Sequence, residues 1–219
     1  MTDDKNAGIF DTSHPMRLLW PKLVTAEQYK GKGDYKFRAS FLFPDDHPDA
    51  VPLKTLLAKL AKAKWPEAKL SLDKSKSDVS FAMSFGATEA AERAANGKDG
   101  SLYNGQFVIK ATAGKDYPPM VASFANGAFT PEVPSADMGP LVAKFYSGVD
   151  VLAVLNFRAM EVDRKKYVAC YMNKIVSLNT GARIGGGRSA AEAFKGYLGK
   201  LSAEDPTAGT VADDDDFMK

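Results

Sequence analysis

The chain has 219 residues, 45% of them hydrophobic, which is enough for one sizeable core; no apolar run approaches the ~20 residues of a bilayer span. Its single cysteine, Cys170, excludes an internal disulfide and a multi-cysteine zinc site. The net charge of +2 hides a split: residues 203–219 hold six acids and one base, and the other 202 residues hold 28 bases and 21 acids.

A body of net +7 with a tail of net −5 is the pattern of a polyanion site carrying its own competitor. A moderately basic globular surface produces the same split, so charge alone leaves both readings open. The polar, acidic start Met1-Thr-Asp-Asp-Lys5 is unlike a secretory signal. With the lone cysteine read as a small buried side chain, a reducing, cytoplasmic location is expected.

Residues 1–15 read as a polar lead-in. Leu18 to Val24, broken by Pro21, reads as an irregular first strand. Tyr35 to Phe43 alternates: Tyr35, Phe37, Ala39, Phe41 and Phe43 share one face, and Lys36, Arg38 and Ser40 share the other. Val51 to Trp65 carries Leu53, Leu56, Leu57 and Leu60 at helical spacing, with its lysines mostly off that stripe and Pro66 after it. Residues 67–101 are ambiguous, with a strand at Asp78–Phe85 and a short helix at Thr88–Ala95 ended by Asn96-Gly97.

Gln106 to Thr112 alternates again, Phe107, Ile109 and Ala111 opposing Val108 and Lys110. Gly114 to Pro140 is rich in Gly and Pro and reads as a long excursion. Val149–Met160 and Tyr167–Leu178 form two long strands joined by a turn at Glu161–Lys166. Gly181–Gly187 reads as flexible, and Ser189–Leu198 as a short helix or ordered extension. Five or more strands, one early helix and no regular strand–helix repeat point to a mainly β fold, a small antiparallel barrel with long loop insertions. Periodicity does not separate an OB-fold from other barrels or sandwiches.

Catalytic chemistry has few candidates. His14 and His47 each precede a proline in a loop context, and both read as surface histidines. Asp45, Asp46, His47 and Asp49 could hold a divalent ion, but helix N-terminal signalling before Val51 is simpler. Gly181–Ser189 lacks the Gly-Lys-Ser/Thr ending of a phosphate loop. Arg183 and Arg188 can still approach phosphates there, or the segment is simply a linker. No enzyme activity, metal or cofactor is expected.

The informative pattern is bases interleaved with aromatics on strands. Lys36 and Arg38 flank Phe37; Lys110, Lys115 and Tyr117 cluster; Arg158 ends one strand, and Lys165, Lys166, Tyr167, Tyr171 and Lys174 populate the next. Cations track the phosphates of single-stranded nucleic acid, and aromatic faces stack on its bases. For the aromatics, core packing is an equally open reading. Asp213, Asp214, Asp215 and Asp216 followed by Phe217 make a self-repelling run with an apolar hook, read as a disordered tail that contacts partners.

Leu19-Trp-Pro-Lys-Leu23, Tyr35 to Pro44, the helix ending in Lys64-Trp65, Tyr146-Ser-Gly-Val149 and Gly185-Gly-Gly-Arg-Ser189 occur in this order. Together they resemble a family of phage single-stranded-DNA-binding proteins, over roughly residues 15–190. The resemblance implies an OB-fold core at 16–200, sequence-independent binding of single-stranded DNA, and a role in phage replication or recombination. It also implies a tail, residues 201–219, that shields the DNA groove and recruits replication proteins. Met218 and Lys219 follow Phe217, so the aromatic is not terminal. Weak duplex binding and a homodimer are allowed; a membrane role is not expected. The alternatives left open are an RNA-binding nucleic-acid chaperone and a non-catalytic phage assembly protein.

Overall fold

The computed structural model describes residues 8–29, 31–132 and 139–184. The long alternating segments become the staves of a barrel. These are β2 (Met16–Tyr29), β3 (Lys32–Pro44), β6 (Gln106–Gly114), β9 (Asp150–Val162) and β10 (Lys165–Ser177). Hydrogen bonding runs β2–β3–β6–β10–β9 and returns to β2 through Met16↔Val151 and Arg17↔Asp150. The β6–β10 joint is parallel, at Thr112↔Tyr171, and the other four are antiparallel. Numbering these staves one to five in chain order, the ring closes 1-2-3-5-4-1, the topology of an OB-fold.

Alternation decides what faces inward. Phe37, Ala39, Phe41 and Phe43 of β3 meet Phe107, Ile109, Ala111 and Ala113 of β6 across matched register, and all are buried. Val151, Ala153, Leu155 and Phe157 of β9 and Val168, Cys170 and Met172 of β10 complete the wall. The Cys170 thiol is fully enclosed, and burial pushes its pKa well up. β9 and β10 are joined by Asp163-Arg164, with φ of 50° and 61°. Two consecutive left-handed residues match the twist of a two-residue hairpin. Lys165 and Lys166 therefore begin β10 rather than lying in the turn.

Helix α1 (Ala50–Lys64) packs on β9 and β10 and buries Ala50, Leu53, Leu57 and Ala61, spaced to share one stripe. Pro52 sits in the first turn, where its missing N–H costs nothing. Two of its lysines bond backbone carbonyls: Lys62 donates to Pro66 O (2.7 Å) and Ala68 O (2.9 Å), and Lys64 to Ala159 O (3.1 Å).

Where β6 and β10 diverge, β4 (Val79–Phe81) and β5 (Met83–Phe85) fill the gap, β4 pairing with β10 and β5 with β6. Helix α2 (Gly86–Ala94) and a 3-10 turn at Ser101–Tyr103 then cover part of the outer surface. There Tyr103 joins the outward-facing Leu19, Leu42 and Val108 in a second, smaller core. The Gly/Pro-rich excursion is not all loop: it holds a hairpin, β7 (Met120–Ala125) and β8 (Ala128–Glu132), with β7 extending the sheet beside β10. Helix α3 (Gly139–Lys144) follows. Nor is the lead-in all loop, because β1 (Ile9–Asp11) pairs with β9.

One histidine is not a surface residue. His47 is 8% exposed, packed against Phe43, with Nε2 3.1 Å from Pro15 O. The buried Asp49 carboxylate accepts from Ser13 N (3.0 Å), Ser13 Oγ (2.5 Å) and His14 N (3.2 Å) instead of capping α1. The Asp45–Asp49 segment thus clamps the lead-in to the helix start. Among the described residues no cluster suits a metal ion, and no helix is long and apolar enough to cross a membrane.

Candidate nucleic-acid interface

The outward face of the barrel gathers most of the sequence-predicted residues. With Phe37, Ala39 and Phe41 turned inward, Lys36, Arg38 and Ser40 must point out. Register carries them across the sheet: Lys36 faces Gly114, Ser40 faces Lys110, and Arg38 faces Thr112, which in turn faces Tyr171 on β10. The Arg158 guanidinium, on the neighbouring β9, lies 5.8 Å from the Tyr171 ring centroid. Tyr171 and Arg158 come together only because the β9–β10 register sets Arg158 opposite Ala169, two residues away.

At one end of this row, Lys115 lies 5.9 Å from the Tyr35 ring centroid, and Tyr117 is 83% exposed in the turn after β6. Tyr35, though in step with the core residues of β3, is 52% exposed because it lies past the core-forming part of the strand. At the β10 side, Lys165, Tyr167 and Tyr171 share the outward face, while Lys166 alternates to the other. A register shift between Met172 and Lys174 returns Lys174 to the outside, opposite the exposed Met120 of β7.

Several of these cations are engaged within the protein, Lys36 among them, its Nζ 3.9 Å from Asp34 Oδ2. Lys110 Nζ lies 2.7 Å from Glu89 Oε2, and the other oxygen of that carboxylate accepts from Ser84 Oγ at 3.1 Å. Arg38 donates to Glu27 O at 2.6 Å. Arg183 joins a separate cluster, 4.2 Å from the Tyr146 ring centroid, while Tyr146 Oη donates to Gly181 O (2.8 Å). Backbones meet closely there: a Cβ on Gly148 (φ 103°) would fall 1.9 Å from Ala182 O, so only glycine fits. Arg188 and the tail residues Asp213, Asp214, Asp215, Asp216 and Phe217 lie outside the described residues.

Features without a plain sequence signal frame the row. Glu89 reads as an ordinary helix acid, yet it supplies the counter-charge to Lys110. The β7–β8 hairpin sets Phe124 against Phe129, ring centroids 4.8 Å apart, beside the exposed Met120. Glu132 ties that hairpin to α3. Burial raises the pKa of its carboxyl, but hydrogen bonds from Lys144 and Ser123 outweigh this and hold it below the usual carboxylate value. Trp20 and Arg93 form a further pair at the β2 edge.

An OB barrel with a cationic, tyrosine-bearing outer face suits a flexible polyanion with exposed bases. The comparison that decides the family is a match of residues 11–208 to the model described as Enterobacter phage Enc34, ssDNA-binding protein. The chain belongs to this family. Membership assigns it to single-stranded-DNA binding in phages rather than to catalysis.

Solved structures agree on the fold. The Enc34 phage single-stranded-DNA-binding protein in complex with ssDNA is 16% identical, with a TM-score of 0.62, covering 84% of this chain and 97% of that one. A second structure of the same phage protein is 17% identical, TM-score 0.59, covering 87% of this chain and 94% of that one. A C-terminal truncation of it is 16% identical, TM-score 0.58, covering 84% and 96%. No curated protein gives a significant match.

Proposed function

We propose that the body, residues 16–200, binds single-stranded DNA across the outward face of β3, β6, β10 and β9, without strong sequence preference, and shields it during phage replication, recombination or repair. The observation that carries this is the cross-strand row Arg38–Thr112–Tyr171 with Arg158 beside it, flanked by Lys36, Lys110, Lys115 and Tyr117. Cations spaced along the sheet neutralise successive phosphates, and the tyrosines offer faces to unstacked bases. Phosphate charge and the flat faces of bases are common to every nucleotide, so sequence-tolerant binding follows. The host cell cytoplasm is the corresponding location.

The acidic tail, residues 201–219, completes the proposal. Four aspartates and Phe217 compete with DNA for the cationic face at a high local concentration set by the tether, and once displaced recruit replication proteins. Fluorescence anisotropy with single-stranded and duplex oligonucleotides of equal length, across a salt series, tests both parts. Tight, salt-sensitive binding of the single strand supports the site; salt-insensitive binding or none refutes it. Truncation after Ala212 tightens binding most at low salt and removes partner binding. Unchanged low-salt affinity refutes the competitor role, and retained partner binding refutes recruitment.

A further inference from the structure

Trp20 has a backbone that its neighbours must hold in place. Its φ is 49°, inside β2, directly before Pro21. The other non-glycine residues with positive φ among the described ones are Asn126, Asp163, Arg164 and Asn179, all at hairpin turns or just past a strand end. A bulky ring in the left-handed region is disfavoured, and the proline that follows restricts the residue further. β2 bulges there: Leu19 pairs with Ser40 and Lys22 with Arg38, so β2 has one more residue than β3 between the two pairs.

The strain is held by specific bonds. Trp20 N donates to Ser147 Oγ (2.8 Å) and Trp20 Nε1 to Tyr103 Oη (3.2 Å). The Arg93 guanidinium lies 5.8 Å from the Trp20 ring centroid and 5.5 Å from that of Tyr103, with its Nε donating to Asp99 O (2.9 Å). Despite these contacts Trp20 is 43% exposed.

The bulge sits beside the proposed DNA row. Ser40 faces Lys110 and Arg38 faces Thr112, which faces Tyr171, so Trp20 stands at the β2 edge of the same face. Three strand spacings separate β2 from β10, or about 14 Å. Arg38 and Lys110 lie between. Resting on the single-stranded-DNA reading, we propose that Trp20, backed by Arg93, is a second base-stacking subsite at the opposite end of the row from Tyr171. Phosphates between the two stacked bases pass over Arg38, while Lys110 stays paired with Glu89.

Trp65 is the chain's other tryptophan, so Trp65→Phe leaves Trp20 as sole reporter. Titration of that variant with an oligo(dT) strand should quench its emission in step with the anisotropy of labelled DNA. Trp20→Gly relieves the φ constraint while removing the ring. It should bind oligo(dT) about tenfold more weakly, leave duplex affinity unchanged, and keep its melting temperature. Trp20→Phe, which retains a ring, should lose less. Saturation with DNA without quenching, or equal oligo(dT) affinity for Trp20→Gly, overturns this subsite alone. Failure of the unaltered chain to bind any single strand overturns the DNA reading beneath it as well.

Discussion

Replacing Glu89 by Gln should make this protein bind single-stranded DNA more tightly. The Glu89 carboxylate is 10% exposed and faces Lys110, which is 52% exposed on the cationic row. One oxygen takes Lys110 at 2.7 Å and the other takes Ser84 Oγ at 3.1 Å. A glutamine keeps the Ser84 bond through its carbonyl but turns an amide donor toward Lys110, leaving the ammonium free for a phosphate. One added phosphate contact steepens the log K against log salt slope by about 0.7. Relative to 1 M salt, that corresponds to about eightfold tighter binding at 50 mM and about threefold at 200 mM. The lost ion pair, screened on the lysine side, should cost about 0.5–1 kcal/mol of stability. Anisotropy titrations of oligo(dT) at four or five salt concentrations read both slope and affinity, and a thermal melt reads the cost. Adding Lys110→Ala to Glu89→Gln should erase the gain. An unchanged slope in Glu89→Gln would refute the reasoning, because Lys110 would then not reach a phosphate.

Tyr171→Ala should weaken single-strand binding by about 1–3 kcal/mol with the fold intact, measured by titration beside a thermal melt. Lys165→Ala should flatten the salt slope by about 0.7, whereas Lys166→Ala, on the opposite face of β10, should leave it unchanged. The Glu132 carboxyl is held low by Lys144 and Ser123, so its contribution is present above the ordinary carboxylate pKa and is lost as pH falls through the lower folded value. Glu132→Gln should therefore cost about 1 kcal/mol at neutral pH and converge with the unaltered protein in acid-unfolding curves. Cys170, buried and with its thiol pKa raised, should resist thiol reagents in the native state and react at once in denaturant, as a colorimetric thiol assay would show.

Much of the barrel is written in local alternation. Phe37, Ala39 and Phe41 against Lys36, Arg38 and Ser40 already say which side of β3 faces water, because the strand period is two. The leucine stripe of α1, the β9–β10 hairpin and the charge split between body and tail are equally local. The ordered family motifs added the OB-fold and the DNA ligand, neither of which periodicity separates from its alternatives.

What only tertiary structure decided are the meetings between distant segments. Alternation tells which residues share a face, not which faces adjoin, so the Thr112–Tyr171 joint and the Arg158–Tyr171 contact required the closed ring. His47 looks like a loop histidine until Phe43 and the Ser13–Pro15 segment enclose it. Glu89 claims Lys110 across 21 positions, and the hairpin in the Gly/Pro-rich excursion pairs with the edge of β10. The same holds for Trp20: Trp-Pro marks an interruption in a strand, but Ser147, Tyr103 and Arg93 must be folded around it to hold the ring at the β2 edge. Local sequence sets a residue's periodic side and backbone preference; long-range packing sets its partners, and with them its charge state, its strain and its access to a ligand.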